Sequence, residues 1–79
     1  MKGPGGAVGV DEPMIMVVSS VGEAHVRANA EGLRVLAQRL LELAGADVRD
    51  GRHLHLDAGV DLEDGSSGLV LERDDSLRP

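Results

Sequence analysis

Between Asn29 and Gly45 the chain carries a stretch of helical periodicity, and on either side of it the apolar residues alternate instead. Leu33, Leu36, Ala37, Leu40, Leu43 and Ala44 recur at three- and four-residue spacings, while Arg34, Gln38, Arg39 and Glu42 fall on the other side. That is the pattern of an amphipathic helix with one face turned to a core. The Asn29 carboxamide can accept from the free N–H groups of the next turn, and Glu31 stands where the helix dipole favours an anion. Gly45 suits the left-handed position after a last turn. The spacing predicts a helix over 30–44 with its Leu stripe in the core.

The flanking segments read as strands. Met-Ile-Met-Val-Val over 14–18 has the length and β-branched content of a buried strand, and Val21-Gly22 supplies a turn. Over 23–28, Ala24, Val26 and Ala28 alternate with Glu23, His25 and Arg27, which predicts an antiparallel hairpin. After a polar connection, Leu54 and Leu56 alternate with His53, His55 and Asp57; a carboxylate-rich loop follows, and residues 68–73 close with a fourth strand. The expected fold is α+β, a two-layer β-β-α-β-β arrangement. Its four-stranded, mostly antiparallel sheet would have one helix packed on one face. The domain is expected over 14–73, between a flexible Gly-rich N-terminal tail at 1–13 and a disordered acidic tail at 74–79. The first strand is apolar on both faces, so the uncovered sheet face or an edge strand invites homodimerisation.

What such a fold can do is limited by what the chain lacks. Its 79 residues include no Phe, Tyr, Trp or Cys. Disulfides, thiolate metal sites and thiol chemistry are excluded, as are base-stacking platforms and aromatic cages. Eight basic against fourteen acidic residues, net −6, argues against nucleic acid and anionic membrane as partners. No apolar run approaches the ~20 residues of a membrane span, and the N-terminus lacks a signal-peptide core. A cytoplasmic protein is expected.

Three constellations remain. His53, His55 and Asp57 form a polar row on one strand face, which His25 could join from another strand; His and carboxylate suit zinc, but no Cys and no further His complete a set. The loop with Asp57, Asp61, Glu63 and Asp64 fits no EF-hand register and is expected to be a loosely solvated turn. The serines stand in no nucleophile elbow, and no phosphate-binding glycine loop opens the helix. The reading is non-enzymatic, with no catalytic residue and no cofactor. Charge is the more informative signal. Residues 47–79 hold four basic and nine acidic groups, net −5, against net −1 for residues 1–46. The acidity thus gathers on the second half, where it would steer a cationic partner. The surface singled out is His53, His55, Asp57, Asp61, Glu63 and Asp64.

Three segments taken together resemble the immunity protein 32 family: Ala28 to Ala44 with its Glu-Gly-Leu-Arg-Val-Leu-Ala opening, His53-Leu-His-Leu-Asp57, and Leu62-Glu-Asp-Gly-Ser-Ser-Gly-Leu-Val-Leu-Glu72. The resemblance spans about residues 14–73. The chain departs from the family pattern at Asp64, where many relatives carry Pro, and in its Gly-rich first 13 residues, which raises the question of a misplaced start codon. The resemblance implies a small bacterial protein of a polymorphic toxin system that binds and blocks a cognate toxin, a basic one given the charge. The alternative is a small homodimeric domain that binds a metal or small ligand through the His53, His55 and Asp57 row.

Overall fold

The computed structural model describes residues 11–79, so residues 1–10 of the Gly-rich segment lie outside the described residues. The element order is β1 (Ile15–Ser20), β2 (Glu23–Ala28), α1 (Ala30–Leu43), β3 (His53–Leu56) and β4 (Leu69–Glu72), the predicted β-β-α-β-β succession. β1 and β2 pair antiparallel from Ile15 opposite Ala28 to Ser20 opposite Glu23. Gly22 takes the positive φ of 81° that the connecting turn requires. β3 and β4 pair antiparallel from His53 opposite Glu72 to Leu56 opposite Leu69.

The predicted four-stranded sheet is not formed; the two hairpins are separate two-stranded sheets. The reason lies along the outer edge of β1, which is already occupied. Glu63 N–H donates to the Ile15 carbonyl at 2.8 Å and Ser67 N–H to the Val17 carbonyl at 2.7 Å. The Ser66 hydroxyl accepts from Val17 N–H at 3.1 Å and the Ser67 hydroxyl from Ser19 N–H at 3.3 Å. A strand edge needs every donor and acceptor met. Here two serine hydroxyls and two backbone amides from the 63–67 segment meet them, so neither β3 nor β4 can join along β1.

The core is small and aliphatic. Ile15, Val17, Leu56 and Leu62 are each at most 3% exposed, with Ala28, Leu36, Leu69 and Leu71 packed around them. It sits between the hairpins, drawing from β1, β3, the acidic loop and one side of α1. Each such side chain contributes roughly 1.5–3 kcal/mol on burial, and a core of this size leaves only a few kcal/mol of net stability.

α1 begins as the sequence predicts. Asn29 Oδ1 accepts from Gly32 N–H at 2.8 Å and also from Met14 N–H at 3.0 Å, while its Nδ2 donates to the Glu12 carbonyl at 2.9 Å. One carboxamide therefore caps the helix and ties the entry of β1 to it. The buried face, however, is not the predicted stripe. Gly32 and Leu43 are buried and Val35, Leu36 and Arg39 half-buried, whereas Leu33, Ala37, Leu40 and Ala44 are exposed. The helix has turned by roughly one residue's rotation. Gly32 explains the turn: lacking a Cβ, it lets the Met14 carbonyl rest against the helix backbone, which pulls that face inward at the expense of Leu33.

The C-terminal end of α1 has no basic residue in its last turn. Arg73, just beyond β4, replaces one: its Nη1 donates to the carbonyls of Leu43 at 3.1 Å, Gly45 at 2.8 Å and Val48 at 3.2 Å. A cation at this place also meets the negative end of the helix dipole. Asp75 steadies the guanidinium from its Nε side at 3.2 Å. Charge-assisted hydrogen bonds of this kind contribute about 1.5–3 kcal/mol. Arg73→Met, which keeps the apolar stem, is expected to lower stability by about 2 kcal/mol. Urea unfolding followed by far-UV circular dichroism measures it, and a change below about 0.5 kcal/mol would show that the three carbonyls are met equally well by water.

Candidate functional site

The residues singled out from the sequence fall into two neighbouring groups. On β3, Leu56 is buried and Leu54 half-buried, which turns His53 and His55 outward. Their rings stand edge to face with centroids 5.1 Å apart, opposite Glu72 and Val70 on β4. His53 Nδ1 lies 3.2 Å from the Gly51 carbonyl and donates to it when protonated. His25 belongs to the other hairpin, opposite Val18. Among the described residues, no three His, Asp or Glu side chains converge to hold a metal ion.

The carboxylates occupy the loop after β3, and this loop is not the loosely solvated turn expected of it. Leu62, in the middle of the acidic run, is 3% exposed and part of the core. The Asp57 carbonyl accepts from the N–H groups of Val60, Asp61 and Leu62 at 3.2, 3.0 and 3.1 Å. Gly59 N–H returns to the Leu62 carbonyl at 2.8 Å. Gly59 and Gly65 take φ of 81° and 88°, where a side chain would strain the backbone. Asp61 is turned inward: its Oδ2 accepts from Asp57 N–H at 3.2 Å and its Oδ1 lies 3.8 Å from the Arg39 guanidinium. Its role is to hold the loop shape and to link it to α1.

Asp57 and Asp64 remain exposed and Glu63 half-exposed. Glu12, Asp61, Glu63 and Asp64, with Pro13, Gly59, Val60 and Leu62, line an open cleft of about 340 Å³. The cleft is walled almost entirely by carboxylates and backbone. Chemically it can receive a cationic side chain and holds no nucleophile. Beyond β4, the Ser76 hydroxyl and N–H both donate to Asp74, which holds that carboxyl below the usual range.

Sequence reasoning found the two histidines and the loop carboxylates but missed what fixes them. Leu62 is flanked by Asp61, Glu63 and Asp64, so no periodicity marks it as a core residue. Ser66 and Ser67 read as turn residues because hydroxyls that complete a strand edge carry no sequence signature. Glu12 lay in the segment taken as tail.

No helix among the described residues is long and apolar enough to cross a membrane. No curated protein and no solved structure matches the chain. The family comparison does find a match, and it begins at β2, takes in α1, the histidine pair and the acidic loop, and ends just past the Arg73 clamp: residues 23–74 match Immunity protein 32, and the chain belongs to that family.

Proposed function

We propose that the chain binds a cognate basic toxin and blocks it by occlusion, using the acidic loop and the adjoining His53–His55 face. The observation that carries this reading is the fixed loop. Leu62 plugged into the core and three amides gathered on the Asp57 carbonyl hold Asp57, Glu63 and Asp64 outward on an ordered backbone. A preorganised charged surface loses little entropy on binding and raises the encounter rate of an oppositely charged partner. Family membership supplies the class of partner, and the net −5 of residues 47–79 supplies its sign. The site itself works by charge complementarity and steric cover, with no bond made or broken.

The test begins with the genes beside this one: where one encodes a large secreted protein with a C-terminal toxin domain, that domain is co-expressed with the chain and the purified pair is titrated. The native chain is expected to restore growth and to form a complex whose affinity falls as salt rises. Asp57→Lys combined with Asp64→Lys is expected to weaken it on the order of 100-fold. Glu23→Lys, on the far hairpin, serves as the control and should leave the affinity within about twofold. Equal affinity for all three proteins would move the interface away from the loop, and failure to restore growth with no complex formed would overturn the reading for that pair.

A further inference from the structure

The hydrogen bonds of the first hairpin show which backbone groups lie on each of its edges. Along the outer edge of β1, the 63–67 segment bonds to the backbone of Ile15, Val17 and Ser19. These three stand opposite Ala28, Val26 and Ala24. In an antiparallel pair, opposed residues either exchange both hydrogen bonds or both turn their backbone groups away from each other. Ala24 and Val26 therefore direct their N–H and C=O groups to the far edge of β2, where among the described residues no backbone partner meets them. The helix does not cover this edge. Gly32 seats α1 against the Met14 carbonyl and Leu36 packs on the core, both toward β1, and Glu23 to Arg27 are all exposed. β2 also carries no Pro, Lys or bulge, devices that keep sheet edges from pairing.

We propose that this edge pairs antiparallel with the β2 edge of a second copy of the chain, about a two-fold axis at His25, joining the two hairpins into one four-stranded sheet. Charge selects the second copy and the register. With His25 opposite its own counterpart, Ala24 exchanges both backbone hydrogen bonds with Val26 of the second copy, and the symmetry repeats the exchange. Glu23 then stands directly opposite Arg27 of the second copy, again twice over, in the closely spaced kind of pair where opposite charges stabilise a sheet. Neither side chain has an ion-pair partner within its own chain among the described residues. A shift by two residues loses this match and sets His25 against Arg27 or against Glu23. On the other face Val26, 37% exposed, comes beside Ala24 of the second copy. A six-residue strand is about 20 Å long, so the contact buries less than the ~800 Å² per partner of a standard interface, and a micromolar dimer is expected. The edge lies across β1 from the 63–67 segment, which leaves both acidic loops exposed at the ends of the dimer.

In sedimentation equilibrium Arg27→Glu, which sets two carboxylates opposite each other, is expected to weaken the dimer at least tenfold, and adding Glu23→Arg to restore it. Ala24→Pro removes an N–H that only the second copy uses, a place where a sheet edge tolerates proline, and is expected to weaken the dimer to a similar extent. The native chain has no cysteine, so one introduced thiol reports the axis. His25→Cys brings two Cα atoms to about 4.5 Å, within disulfide reach, and is expected to oxidise to a covalent dimer at low micromolar concentration. Val60→Cys, on an 81% exposed residue of the acidic loop, should remain monomeric under the same conditions. All four substituted β2 and loop positions are exposed, and unchanged circular dichroism spectra will confirm that the variants fold. A native chain that stays monomeric up to about 1 mM, a dimer indifferent to Arg27→Glu, or His25→Cys oxidising no faster than Val60→Cys overturns the proposal and leaves the edge to a foreign strand or to residues 1–10. No toxin enters these measurements, so their outcome is independent of the immunity reading.

Discussion

Leu62→Ala is expected to lower stability by about 3 kcal/mol, the range in which buried leucine truncations fall. The side chain is 3% exposed and packs with Ile15, Val17 and Leu56, so its loss removes one of the four most buried members of a core with no aromatic ring to compensate. A domain of this size has only about 3–5 kcal/mol to lose, and at roughly 4–8 °C per kcal/mol the midpoint should fall by about 15 °C or more. Without Trp or Tyr the chain is silent in intrinsic fluorescence, so the melt is read by far-UV circular dichroism. The same change should release the acidic loop, because Leu62 is what seats it. Loss of partner affinity at temperatures where the fold persists would then follow. A shift within about 0.5 kcal/mol, the value for a solvated loop residue, would show the loop to be seated by its hydrogen bonds alone.

Gly32→Ala opposes two effects of known size. Alanine is the better helix former by about 1 kcal/mol, so at a solvent-facing helix position the substitution would stabilise. At position 32 the new Cβ would overlap the Met14 carbonyl oxygen and lie 3.0 Å from Ile15 Cγ1. That carbonyl cannot move freely, since it accepts from Asn29 N–H at 3.2 Å while Met14 N–H donates to Asn29 Oδ1. Relieving the overlap means breaking this reciprocal pair and lifting β1 from α1. Overpacking against backbone costs about 1–3 kcal/mol and more where nothing can yield; here it wins, and a net loss of about 2 kcal/mol is expected. Gln38→Ala, on the exposed side of the same helix, should be neutral to slightly stabilising. If Gly32→Ala melted at or above the native temperature, the contact between β1 and the helix would not be what sets the rotation of α1.

The two substitutions mark where the sequence was legible and where it was not. Asn29 opened the helix as predicted because capping is local chemistry, whereas Gly45, expected in the left-handed position, keeps a negative φ. The helix ends at an Ala44 cap in the right-handed region, and its last carbonyl is met by Arg73 instead. The alternation of Leu54 and Leu56 against His53 and His55 likewise predicted the outward histidine pair, since successive strand residues point to opposite faces and the core takes the leucines. The helix face was misjudged because Gly32 contributes nothing to an apolar stripe, although the absence of its side chain is what admits β1. The sheet was misjudged for a similar reason. Ser66 and Ser67 are polar and follow a turn, yet their hydroxyls stand in for backbone groups along the edge of β1.

The sequence by itself determined the element order, the hairpin partners, the helix limits, the family, and the concentration of negative charge after residue 46. All of these depend on contacts or capping within about one turn or one hairpin, or on composition alone. The tertiary structure decided which side of α1 is buried, that the hairpins stay separate, that Leu62 anchors the acidic loop, and that Arg73 closes the helix from 25 to 30 residues away. Each of these is set by a long-range backbone group that needs a partner or by a missing atom that permits close approach. Neither leaves a periodic trace in the chain, and both fix which charged and apolar surfaces remain outside for a partner to meet.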